Sequence, residues 1–117
     1  MLEGLSKLAG LVRSAQQVQE RAQEMKERLA ALHVEGASGG GMVRVRASGD
    51  QRILSLHIEP SLLESGDQEL LEDLILSAVN LALEESRELA AREMANLAEG
   101  LGFPGLEDAF SRLGLGK

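Results

Sequence analysis

The stretch VEGASGGGMVRVRASGDQRILSLHI, Val34 to Ile58, decides how this chain folds. Its second half holds two runs of period two. Val43, Val45 and Ala47 alternate with Met42, Arg44 and Arg46; Leu54, Leu56 and Ile58 alternate with Ile53, Ser55 and His57. Alternation of this kind marks strands with one apolar face, and SGDQ between them reads as a hairpin turn. A four-residue loop at 48–51 predicts Ala47 opposite Arg52, Val45 opposite Leu54 and Val43 opposite Leu56. The other face then sets Met42 beside His57, Arg44 beside Ser55 and Arg46 beside Ile53, with no acidic neighbour for either arginine. A short strand around His33–Ala37 adds to one edge.

The glycines from Gly36 to Gly41 precede a strand, not a helix, and no Lys-Ser/Thr pair follows them. A phosphate loop needs that context, so nucleotide binding is not expected. Their expected use is positive φ and close backbone approach where the preceding segment turns back into the sheet.

That preceding segment is a helix. Leu8, Leu11, Ala15, Val18, Ala22, Met25, Leu29 and Leu32 recur at spacings of three and four, a continuous apolar seam from about Leu5 to Leu32. Beyond the hairpin, Pro60 stops the sheet and Asp67 is placed to cap a second helix, with Glu69, Glu72 and Asp73 favourably near its positive end. Leu71, Leu74, Ile75, Ala78, Val79 and Ala82 form its packed face. The helix is expected to end near Ala98, before Gly100, Gly102, Pro104 and Gly105. The fold class is α+β: two long helices around a small antiparallel sheet, one domain over residues 1–105 and a flexible C-terminal tail over 106–117.

Composition narrows the chemistry. The 117 residues carry a net charge of −7 and no cysteine, and Phe103 and Phe110 are the only aromatics among Phe, Trp and Tyr. Disulfides, thiolate metal sites and a cysteine nucleophile are excluded. No signal peptide is evident at the N-terminus, and the longest nearly apolar run, LILSAVNLAL, is about half a membrane span. His33 and His57 stand in no metal-ligand or nucleophile pattern, and Glu84, Glu85 and Glu88 read as a solvated helix face. The expectation is no enzyme activity, no catalytic residue, no metal, no cofactor, no small-molecule substrate and no membrane.

Charge is unevenly spread: residues 36–58 are locally basic, while 59–117 hold thirteen acidic against four basic groups. Lys7, Arg21, Arg28 and Arg92 have helix neighbours of opposite sign at three or four residues, and ordinary salt bridges are the simplest reading. Arg13 has none. Arg44 and Arg46 are either duplex contacts or charges that keep a strand face soluble. A long apolar seam with one small sheet to cover it points to a second copy, so Leu8, Leu11, Ala15, Val18, Ala22, Met25, Leu29 and Leu32 are the expected homodimer interface.

Taken together, the Gln/Glu-rich heptad helix, VEG, GGGMVRV, ILSLHIEPSLL, LEDLILSAVNLAL and GLGFPG, in that order, resemble the YbaB/EbfC family of bacterial nucleoid-associated proteins. The likeness covers roughly Gln16 to Gly105. It implies an α-β-β-β-α protomer, a tweezer-shaped homodimer and binding to double-stranded DNA with little sequence preference. It also implies a cytoplasmic, nucleoid-associated location and a role in nucleoid organisation and gene expression. Departures are Leu81, where the family often has an acid, leucines in place of a methionine-rich opening, and a longer tail. The resemblance moves emphasis to cations on the long helices, so the candidate DNA contacts are Arg13, Arg21, Lys26, Arg28, Arg87 and Arg92 together with Arg44 and Arg46. The competing reading is an acidic dimer whose C-terminal helices bind a basic protein.

Overall fold

The structure is a computed structural model, and it describes residues 2–101. The 106–117 tail therefore lies outside the described residues. The order is α1 (Leu2–Ala31), β1 (His33–Ser38), a tight turn at Gly39–Gly41, β2 (Val43–Ser48), β3 (Ile53–Ile58), α2 (Pro60–Glu64) and α3 (Gln68–Leu101). The three strands form one antiparallel sheet in the order β1-β2-β3. This is the expected α+β architecture with two long helices.

The core lies between one face of the sheet and α3. Val43, Val45 and Ala47 of β2 point inward and are buried against Ala78, Ala82 and Leu62. Val34, Leu71, Leu74, Ile75 and Val79 pack around them, so the helix face read from spacing is the one that is used. Alanines at the contact let α3 lie very close to the sheet. Gly36, opposite Val45 in β1, is the reason it can: a Cβ there would collide with the backbone of Ala78 and Ala82. Gly36 thus serves the close backbone approach expected of the glycines, from within the strand. Gly39, Gly40 and Gly41 do adopt positive φ, at 60°, 67° and 95°, and reverse the chain from β1 into β2.

The hairpin register differs from expectation. Val43 pairs with Ile58, Val45 with Leu56 and Ala47 with Ile53, with a bulge at the Arg46/Ala47 step. The turn closes one step tighter than expected: the Ser48 N–H donates to the Arg52 carbonyl, which leaves Gly49, Asp50 and Gln51 between them, and Gln51 takes φ 66°. Ser86 of α3 holds this turn from below. Its fully buried hydroxyl donates to the Ser48 carbonyl at 2.6 Å and accepts the Gln51 N–H at 3.1 Å. The Gly49 N–H reaches the Leu29 and Leu32 carbonyls, both at 2.9 Å, which ties the same turn to the end of α1.

Proline at the first position starts α2, a single short helix that the sequence pattern did not mark. Asp67 caps α3 as expected, its Oδ1 accepting the Leu70 N–H at 3.1 Å. The helix continues through Gly100 to Leu101, slightly past the predicted stop.

Candidate nucleic-acid interface

Because Val43, Val45 and Ala47 face the core, alternation drives Arg44 and Arg46 to the opposite, solvent face of the middle strand. The register places Glu35 of β1 and Ser55 of β3 on either side of Arg46, and Ala37 and His57 on either side of Arg44. The expectation that neither arginine has an acidic neighbour is corrected for Arg46. It failed because the partner comes from β1, whose pairing was not read. The neighbours from β3 are likewise Ser55 and His57, not Ile53 and Ser55.

Two contacts give this face its geometry. One Arg46 Nη2 lies 2.9 Å from His33 Nδ1. The Arg44 guanidinium folds back over Gly41: a Cβ built there would meet Nη2 at 3.5 Å and Nε at 3.6 Å. Arg44, Arg46, His33, Glu35 and His57 are all exposed, and among the described residues neither arginine forms an ion pair. The two histidines and Glu35 belong to this face, and sequence reasoning had assigned them no part in it. Alternation alone had put His57 outward; His33 required the β1 register.

The helical cations are placed differently. Arg13, Arg21 and Lys26 are exposed along α1, and Arg87 and Arg92 along α3. Arg28 is not in a pair with Glu24; its Nε lies 2.8 Å from Glu93 of α3, bridging the two helices. On α3, eight carboxylates stand against Arg87 and Arg92.

The apolar seam of α1 divides in two. Leu29 is buried and Met25 and Leu32 are half-buried within the protomer, where α1 meets α3 and the β2–β3 turn. Leu8, Leu11, Ala15, Val18 and Ala22 remain exposed. A second apolar surface lies on β3: α3 packs mainly over β1 and β2, which leaves Leu54 and Leu56 about half exposed. Among the described residues no helix is long and apolar enough to cross a membrane, and no group of three or more histidines and carboxylates is placed to hold a metal ion.

The class of protein defined so far is a small, elongated α+β protomer. It has a flat arginine-bearing sheet face and apolar surface on one helix and one edge strand. The profile of the YbaB/EbfC DNA-binding family matches residues 4–101, and the chain belongs to that family. It is 45% identical over 96 residues to a nucleoid-associated protein of Caldanaerobacter subterraneus subsp. tengcongensis, covering 82% of this chain and 86% of that one. Identity to a nucleoid-associated protein of Chlorobium limicola is 38% over 114 residues, 97% of this chain and 99% of that one. Among solved structures, it is similar to the uncharacterized protein HP0035 from Helicobacter pylori, with a TM-score of 0.56 and 26% identity, covering 74% of this chain and 96% of that one.

Proposed function

We propose that this protein works as a homodimer on double-stranded DNA in the bacterial cytoplasm. It would bind the duplex through its phosphates with little sequence preference, organising the nucleoid and thereby modulating gene expression. The observation that carries the reading is membership of a DNA-binding family over nearly the whole described chain; relatives that share most of its length bear the name nucleoid-associated protein. Arg13, Arg21, Lys26, Arg44, Arg46, Arg87 and Arg92 are the candidate contacts, all exposed. Arg28 is the weakest of the original set because Glu93 already engages it.

Surface area supports the dimer. A compact monomer of this mass exposes about 6,200 Å², whereas this protomer exposes 8473 Å² and extends 77 Å along its long axis. Exposed apolar side chains include Leu8, Leu11 and Val18 on the free half of the α1 seam and Leu54 and Leu56 on β3, surfaces that a symmetric partner would cover. Low sequence preference follows from what would touch the DNA. The described fold offers no recognition helix on a helix-turn-helix, and its residues include no Phe, Tyr or Trp on which to stack bases. Arginine contacts to phosphate position a duplex without reading it.

The test is light scattering for mass, followed by fluorescence anisotropy of several unrelated labelled duplexes at two salt concentrations. A dimer mass, salt-weakened binding and affinities within tenfold of one another are expected. A concentration-independent monomer, or one duplex preferred by more than tenfold, would refute the corresponding part. The acid-rich α3 favours a second reading, in which a basic protein is the partner; absence of DNA binding by a folded dimer would turn to it.

A further inference from the structure

We propose that residues 102–117 fold back along α1 and cover the free half of its apolar seam, at Leu8, Leu11, Ala15 and Val18. The inference does not depend on the DNA-binding reading above. Of the two apolar surfaces open to a second copy, it gives the α1 seam to the chain itself and leaves β3.

Topology brings segment and seam together. α1 enters the sheet at the end where the Gly49 N–H meets the Leu29 carbonyl, and α3 leaves it at the same end, where Ser86 holds that turn. Beyond the sheet the two helices run in opposite chain directions and are bridged by Arg28 and Glu93. From Glu93, α3 continues to Leu101, a further rise of about 12 Å that brings its end level with about residue 20 of α1. There the seam changes character. Leu29 is buried and Met25 half-buried on the side that α3 reaches, while Leu8, Leu11 and Val18 are 58%, 66% and 50% exposed. The bare stretch begins where α3 stops, and residues 102–117 leave α3 at its edge.

The bare stretch also needs a cover. Residues 2–24 of α1 are all exposed. Helices without tertiary packing are marginal in water, and Gly4 and Gly10 weaken this one further.

The following segment has the sequence to supply it. Gly102, Pro104 and Gly105 are turn residues, and residues 102–105 span up to about 13 Å when extended. Leu106, Ala109, Phe110 and Leu113 then recur at i, i+3, i+4 and i+7, the apolar stripe of a two-turn helix that Gly114 would close. Residues 106–113 would measure about 12 Å, against about 15 Å from Leu8 to Val18. Phe103 and Phe110 both belong to this segment, whereas the buried core among the described residues is built from valine, alanine and leucine. Lys7, four residues before Leu11 and so on the seam side, offers a charge to Glu107 and Asp108. The helical cations proposed for DNA stay free. Arg13 is about 200° round the helix from Leu11, and Arg21 and Lys26 lie beyond the covered stretch.

The experiment is hydrogen exchange on the full chain, wild type against Phe110→Asp/Leu113→Asp, at a low and a high protein concentration, with thermal melting to check the core. In the wild type, peptides covering 8–18 are expected to exchange at least about tenfold more slowly than unstructured chain, at both concentrations. The variant should lose that protection while peptides around Leu29 and Ala82 keep theirs. Protection that grows with concentration and survives the substitutions makes a second copy the occupant and overturns the proposal, as does an unprotected 8–18 stretch in the wild type. The chain has no cysteine, so Ala15→Cys/Ala109→Cys gives a contact readout: a short bismaleimide should join the two introduced thiols within one chain. Cross-links formed only between chains would also overturn it.

Discussion

Replacing Gly36 by alanine tests the central packing claim, that α3 lies on bare backbone of β1. A Cβ at this position would collide with the Ala82 amide nitrogen and the Ala78 carbonyl, and would sit 2.9 Å from Ala82 Cα. That last separation is at least roughly 0.6 Å inside the optimum for two carbon atoms. The obstructing atoms are helix backbone, so no side chain can swing away; α3 as a whole must lift. A radial gap of that order forfeits about a quarter or more of the dispersion energy across the interface, and here the interface is the core: Val43, Val45 and Ala47 against Ala78 and Ala82. Overpacking of this kind costs about 1–3 kcal/mol. Removing glycine from a strand returns roughly 0.5–1 kcal/mol of backbone entropy. With a rigid obstacle the upper end of the cost applies, for a net loss of about 2 kcal/mol, or about 10 °C in Tm for a domain of this size. Urea and thermal unfolding followed at 222 nm, at one fixed protein concentration, would measure it. Gly10→Ala is the control. Gly10 is in α1 with nothing within 4 Å of a built Cβ, and alanine there should stabilise by up to about 1 kcal/mol. If Gly36→Ala stays within about 0.5 kcal/mol of wild type, the reasoning about helix–sheet contact is wrong.

Three further outcomes are expected. Ser86→Ala strands the Ser48 carbonyl and the Gln51 N–H beneath the hairpin turn, so it should cost about 1–3 kcal/mol in urea unfolding and speed hydrogen exchange at Gln51. Asp67→Ala removes the acceptor for the Leu70 N–H at the start of α3; a loss of about 1 kcal/mol is expected from the same measurement. A double-mutant cycle on Arg28→Ala and Glu93→Ala should give a coupling of about 0.5–1 kcal/mol that shrinks in high salt, because Arg28 remains well exposed.

The elements were legible because period two and period three-to-four are imposed by backbone geometry, and their inward faces followed at once. The hairpin register was not. Sliding the strands by two residues keeps Val43 and Val45 each opposite an aliphatic residue, so hydrophobic pattern cannot choose between Val45–Leu54 and Val45–Leu56. The choice is made in the turn by positive φ at Gln51 and by Ser86, a residue on α3. The candidate site inherits this division. Outward projection of Arg44 and Arg46 was readable from alternation, whereas Glu35 and His33 reach Arg46 through β1, whose pairing depends on how the glycine turn folds. Arg28 makes the same point on a helix. Its sequence neighbour Glu24 suggested a local pair, but Glu93 on α3 holds it.

The α1 seam shows what a repeat pattern leaves undecided and what structure adds. Its spacing runs unbroken from Leu8 to Leu32, so nothing along it marks where one covering surface ends. The protomer itself covers the last turns, burying Leu29 with its backbone carbonyl turned to Gly49. Leu29 already has its partner inside the chain, and Met25 and Leu32 are half used. In the proposed dimer a second copy would therefore meet this helix at Leu8, Leu11 and Val18, or meet β3 at Leu54 and Leu56, which are among the apolar side chains still exposed. Neither surface includes the outward arginines of β2. Burial of either apolar surface by a partner would thus leave the outward face of β2, with Arg44 and Arg46, open.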